Sequence, residues 1–261
     1  CMSPGKKNYS HVNYPLERIE TAITWLKNHG SRKIGIVGMS TAGMDALVAA
    51  SLFPDITLTF GLTPSDFVWQ GFEQGKKDGC GEWPIPGAST LSYKGEPLPY
   101  MPFVYEHPVY WQKVQEETKG SGDFERGTCL FIDSEKVREH TEEEMIKVEN
   151  IKGKLFLVGA EDDSFWETAK YIRRMDQRLK ERPHTCEYEA LVYEHGTHFV
   201  LPESLLHKAL PVGLKFVLRF VFKAAKDYPG ECEATRKDID RKLSAALKEW
   251  REDFVNDHPS L

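Results

Sequence analysis

Lys33 to Val37 is a short, β-branched apolar run, and Gly38-Met39-Ser40-Thr41-Ala42-Gly43 follows it directly before the helix-like stretch Met44 to Phe53. A strand that passes into an apolar helix through so few small residues must lie beside that helix, with both buried. Three further runs read as strands: Ile56 to Gly61, Lys154 to Gly159, and roughly Cys186 to Tyr193. Helical periodicity falls between and before them. Pro15 to His29 places Leu16, Ile19, Ala22, Ile23 and Leu26 on one face ahead of Gly30, and a second helix spans about Thr168 to Lys180. This alternation predicts an α/β fold with a mostly parallel sheet covered by helices, whose ligand sites lie beyond the carboxyl ends of the strands. The loops after Val37, Gly61, Gly159 and Tyr193 are therefore where function is expected.

Composition removes several classes of partner. The 261 residues are 40% hydrophobic and 28% charged, and 34 Lys and Arg stand against 40 Asp and Glu, a formal charge of -6. No basic stripe suits a phosphate backbone, so no nucleic acid is expected. The most apolar C-terminal stretch, Val212 to Phe222, is interrupted by Lys215 and Arg219 and falls short of the about 18 apolar residues of a membrane span. No membrane partner is expected either. The five cysteines, Cys1, Cys80, Cys129, Cys186 and Cys232, are odd in number and lack paired short spacings. That pattern suggests neither a disulfide framework nor a zinc site and fits a reducing cytoplasm. Without a Walker loop, a G-x-G-x-x-G or an H-E-x-x-H, no cofactor and no metal is expected.

Residues 65–150 form a long excursion between the second and third strands. From Ser65 to Trp111 it carries ten aromatics, among them Phe67, Trp69, Phe72 and Phe103, about twice the chain average of 11%. Such rings either wall a site as a lid or pack the loop onto the sheet. Glu135 to Lys147, with Glu142-Glu143-Glu144 inside it, is expected to be a solvated helix. Val212 to Phe254 reads as two helices separated by Tyr228-Pro229-Gly230, so residues 1–261 form one catalytic domain with 65–150 inserted and 212–261 as C-terminal helices.

Ser40 sits where a strained strand-to-helix turn projects a hydroxyl, with the Thr41 N–H placed to face a developing oxyanion. Ala42 stands at the last position of the usual G-x-S-x-G, with Gly43 behind it. A serine nucleophile needs a histidine base held by a carboxylate. Asp162 and Asp163 leave the third strand and His195 and His198 leave the fourth, in the chain order Ser, Asp, His of the α/β-hydrolase fold. His198, ahead of Phe199-Val200-Leu201-Pro202, is favoured as the base. For the acid, counting from Gly159 points to Asp162, and counting back from Trp166 points to Asp163. Asp66, after the second strand, is an outside candidate whose plainer role is a turn residue or helix cap.

The segment Ser89-Thr90-Leu91-Ser92-Tyr93-Lys94-Gly95-Glu96-Pro97-Leu98-Pro99 and the loop Asp162-Asp163-Ser164-Phe165-Trp166 resemble the catalytic domain of the acyl-CoA thioesterase and bile acid-CoA:amino acid N-acyltransferase family, over about Tyr14 to Pro202. The dienelactone-hydrolase-like group is also similar. The resemblance implies a triad of Ser40, Asp163 and His198, and the serine resembles the thioesterase branch. The implied activity is cleavage of a small-molecule acyl thioester or ester. Alternatives are a carboxylesterase or peptidase of the same fold, or a catalytically silent binding module. In this fold the nucleophile strand is normally preceded by others, yet Ser40 comes only 40 residues in. That leads to the expectation of an open edge on the nucleophile strand. Either strands of a larger hydrolase precede this chain, or a partner subunit, as in a homo-oligomer, covers the edge.

Overall fold

A computed structural model describes residues 10–74, 82–104, 109–209 and 213–257. Its centre is a four-stranded parallel sheet of β1 (Ile34–Met39), β2 (Ile56–Leu62), β3 (Lys154–Ala160) and β4 (Glu187–Tyr193), in the spatial order β4-β3-β2-β1. The register sets Met39 beside Leu62, Leu62 beside Val158, and Val158 beside Leu191. All four strands thus end on one level, at one edge of the sheet. β1 is the outermost strand among the described residues, and Val37 on it is 62% exposed.

The helices are α1 (Glu17–Asn28), α2 (Thr41–Leu52), α3 (Val109–Ser121), α4 (Thr128–Val137), α5 (Thr168–Glu181), α6 (Glu203–Ala209), α7 (Leu214–Val221), α8 (Lys223–Asp227) and α9 (Pro229–Asp257). Alternation along β3 decides which of them cover which face. Leu155 and Leu157 join Ile23 of α1, Met44 and Leu47 of α2, and Ile172 and Met175 of α5 in the main core. Phe156 points the other way, to Phe60, Ala246 and Trp250 beneath α9, and its ring stacks on Phe60 at 4.6 Å. Two layers of helices therefore enclose the sheet. Residues 43–50 of α2 are all buried, as expected of a helix that is apolar on every side. None of the described helices is long and apolar enough to cross a membrane.

The excursion contains strands that periodicity did not reveal. Gln70–Gln74 pairs antiparallel with Glu82–Ser89 and with Ser10–His11, while Leu91–Tyr93 pairs with Tyr14–Pro15 and Glu96–Pro97. Their prolines mark short edge strands, which carry little alternation.

Two expectations need correction. Glu135 to Lys147 is not a solvated helix: α4 ends at Val137, and Glu142–Glu144 is a single 3-10 turn capped by Thr141. Glu139, Glu142 and Glu143 are exposed, while the carboxylates of Glu135, Glu142 and Glu144 are ion-paired. Arg174 of α5 donates to Asp66 at 2.5 and 2.7 Å and to Glu135 at 2.6 Å, and Arg178, one turn on, binds Glu142 and Glu149. The excursion is fastened to the body by these two guanidinium groups. Among the described residues the C-terminal region holds three helices rather than two, because Phe222 breaks the stretch ahead of Tyr228; the expected break at Tyr228 is present, with Pro229 as the first residue of the last helix.

Candidate active site

Ser40 joins β1 to α2 with φ 60° and ψ -130°, a conformation that a side chain other than glycine's rarely adopts. Its backbone N–H still donates to Leu62 O at 2.8 Å, so the strained turn is anchored to β2. Close packing on both sides enforces it. A Cβ on Gly38 would lie 1.9 Å from Ala42 O, and one on Gly43 would lie 2.9 Å from Leu62 O. The tight approach to β2 falls on Gly43, not on position 42, and for this reason Ala42 is accommodated. Thr41 opens α2, where the first N–H groups have no intrahelical acceptor and the helix dipole is positive.

His198 and Asp163 are both buried and joined directly: Nδ1 lies 2.8 Å from Oδ2 and 3.0 Å from Oδ1. Asp163 also accepts from Phe165 N at 2.9 Å and from Thr168 Oγ1 at 3.0 Å, which fixes the carboxylate before it meets the imidazole. A carboxylate only accepts, so Nδ1 carries the hydrogen and Nε2 is left as the basic nitrogen.

The neighbouring Asp162 turns elsewhere. Its Oδ1 accepts from Gly196 N at 3.0 Å and Thr197 N at 2.8 Å, and its Oδ2 lies 3.1 Å from His195 Nδ1. His195 in turn stacks face to face on Tyr228, with centroids 3.8 Å apart. Asp66 is engaged by Arg174 and belongs to neither histidine; it is a buried ion-pair partner rather than a turn cap.

Ser40 and His198 make no mutual hydrogen bond among the described residues. They share two neighbours, Phe165 and Trp166. Ser40, Thr41 and Met44 line a pocket, partly open to solvent, with Trp69, Phe72, Phe103, Phe131, Phe165 and Trp166. The imidazole of His198 packs on the last two, at 4.8 Å from Phe165 and 6.0 Å from Trp166. From the excursion, Trp69, Phe72 and Phe103 line this pocket while Phe67 packs in the core, so its rings do both jobs. Tyr105 lies outside the described residues, as do Cys1 and Cys80. Cys129, Cys186 and Cys232 are buried.

Two residues, one beside His198 and one on α2, escaped the sequence reading. Thr63, with φ 42°, donates from Oγ1 to His198 O at 3.2 Å, and its backbone carbonyl accepts from Trp166 Nε1 at 3.0 Å. Its signal was positional, since it follows β2 at the level where Ser40 follows β1. Asp45, one turn after Thr41 on α2, is buried with neither carboxylate oxygen hydrogen-bonded among the described residues, and burial pushes its pKa up to about 7.

A family model described as BAAT / Acyl-CoA thioester hydrolase C terminal matches residues 14–209. No curated protein matches the chain. Among solved structures, three crystal forms of the Pyrococcus furiosus esterase Pf2001 are similar, at 14%, 17% and 15% identity with TM-scores of 0.40, 0.37 and 0.37. The alignments cover 79%, 78% and 79% of this chain and 61%, 60% and 62% of the esterase. The chain thus spans about three-fifths of the length of that esterase. With its helix-covered parallel sheet and its strand-turn-helix at Ser40, the fold is that of an α/β-hydrolase, and the chain belongs to the BAAT / acyl-CoA thioester hydrolase C-terminal family.

Proposed function

We propose that this chain is a serine hydrolase that cleaves acyl thioesters, or esters, through Ser40, His198 and Asp163. One observation carries the reading: a serine held in a strained strand-to-helix turn shares a pocket wall with Phe165 and Trp166, on which a buried His198–Asp163 pair packs. Ser40 Oγ attacks the acyl carbonyl carbon as His198 Nε2 takes its proton, and the oxyanion faces the Thr41 N–H at the positive end of α2. The carbon–sulfur or carbon–oxygen bond then breaks as His198 returns the proton to the leaving group. Water, deprotonated by the same imidazole, hydrolyses the acyl-enzyme and frees the acid. Asp163 keeps the imidazole in the productive tautomer throughout.

The aromatic part of the lining supports an apolar acyl group, because rings such as Trp69, Phe103 and Phe131 offer it apolar surface. Steady-state kinetics on an acyl-CoA, a p-nitrophenyl ester and a peptide amide test the assignment. The reading requires thioester or ester turnover that Ser40→Ala abolishes while circular dichroism stays unchanged. A Ser40→Ala protein with wild-type rates contradicts it.

A further inference from the structure

Four consecutive residues of one loop, His195 to His198, are all bound by two consecutive carboxylates. Asp163 holds the His198 ring, whereas Asp162 takes the Gly196 and Thr197 N–H groups on one oxygen and faces the His195 ring with the other. The loop needs such a clamp for a geometric reason. Thr197 is held at φ 61°, a conformation that costs energy for a β-branched residue. Gly196 meanwhile packs so closely that a Cβ there would lie 3.0 Å from Ala160 Cβ. The loop is fixed on its outer side as well, by Thr235 Oγ1 donating to His195 O at 2.6 Å and by Tyr228 stacked on the His195 ring.

We infer that Asp162 is a positioning residue: it clamps the backbone of the loop so that His198 stands where it serves Ser40, without itself orienting the catalytic imidazole. This rests on the proposed triad. The role follows from where its oxygens are placed and not from their charge. An asparagine at 162 keeps an acceptor oxygen for Gly196 and Thr197, but a glutamate keeps the charge and displaces the oxygens by one methylene.

The test compares kcat and KM of Asp162→Asn and Asp162→Glu in the whole chain, with Ser40→Ala and Asp163→Asn as controls. A misplacement of about 1 Å costs up to about 100-fold in rate. Asp162→Asn is therefore expected within about 5-fold of wild-type kcat, and Asp162→Glu about 30- to 100-fold lower, with both KM values within about 3-fold. Asp163→Asn is expected to fall by about 10⁴-fold, as loss of an imidazole-orienting carboxylate does. If Asp162→Glu is as active as Asp162→Asn or more so, charge matters over position and the inference is overturned. It is equally overturned if Asp162→Asn falls as far as Asp163→Asn, or if both Asp162 variants lose their fold, since the role is then catalytic or purely structural. A fully active Ser40→Ala is a separate outcome, which defeats the triad itself.

Discussion

Thr63 Oγ1 donates a 3.2 Å hydrogen bond to the carbonyl oxygen of His198, tying the end of β2 to the loop that leaves β4. With strands about 4.8 Å apart, β4 lies about 14 Å from β1, too far for a histidine at its end to reach Ser40 directly. The loop must travel inward across β3, and Thr63 marks how far it goes: to the strand next to that of the serine. Asp163, leaving β3, stands midway on this path and meets the imidazole there. In the proposed triad, the order of the strands thus sets which loop supplies which group.

The elbow depends on two close backbone approaches. Gly38→Ala places a methyl 1.9 Å from Ala42 O, so the strand or the helix must move. Unfolding in urea is expected to show a loss of about 3 kcal/mol, at the upper end for overpacking, together with a large drop in turnover. Gly230→Ala is the control. Near the start of α9 with nothing within 4 Å, it is expected to stabilise by about 0.5–1 kcal/mol.

Arg174→Met leaves the fully buried side chain of Asp66 and the mostly buried Glu135 without their guanidinium partner. The expected cost is about 3–5 kcal/mol, read from chemical unfolding. Removing the buried charge as well, in Arg174→Met/Asp66→Asn, should recover part of it. Additive losses in the double variant would contradict the pairing.

Asp45 predicts an unusual pH dependence. Burial raises its pKa from 3.8 to about 7, so between these values the folded chain holds a proton that the unfolded chain has released. Stability from this group is present below about pH 4 and falls as pH rises to 7, by up to about 4 kcal/mol at 1.36 kcal/mol per unit. Asp45→Asn removes this dependence. Stability measured at pH 4, 6 and 8 should show the variant gaining on the wild type as pH rises, and parallel curves would show that Asp45 is not buried as described.

At the acid end, Glu142 behaves in the opposite sense. Its hydrogen bonds to Arg178 hold its pKa down to about 2, so its contribution is present above about pH 4.5 and disappears as pH falls toward 2. Arg178→Met should flatten that part of the acid-unfolding curve, although the half-exposed carboxylate makes the effect modest. An acid-unfolding midpoint unchanged by the substitution would remove the pair from the account.

Much of this architecture is visible in the sequence because it follows from local pattern. The apolar runs read to Val37, Gly61, Gly159 and Tyr193, which fall within the observed strands, and the small residues around Ser40 carry their own periodicity and turn chemistry. What local pattern lacks is partners distant in the chain. Glu142 reads as solvated because Arg178 is 36 residues away, and Asp66 reads as a turn residue because Arg174 is 108 away. Asp162 and Asp163 are adjacent, and counting cannot tell them apart. Their side chains diverge, and which one meets His198 is decided by the path of a loop from another strand. Phe131 and Val114 of the pocket come from α4 and α3, two helices that the sequence pattern did not single out.

The central claim is that Ser40 is an activated nucleophile. Incubation with a fluorophosphonate, followed by proteolysis and mass spectrometry, reads it directly. The account predicts one phosphonyl group per chain, on Ser40, with labelling lost in Ser40→Ala and slowed at least about 100-fold when His198 is replaced by Ala. An unlabelled wild-type chain, or a label on any other residue, contradicts it.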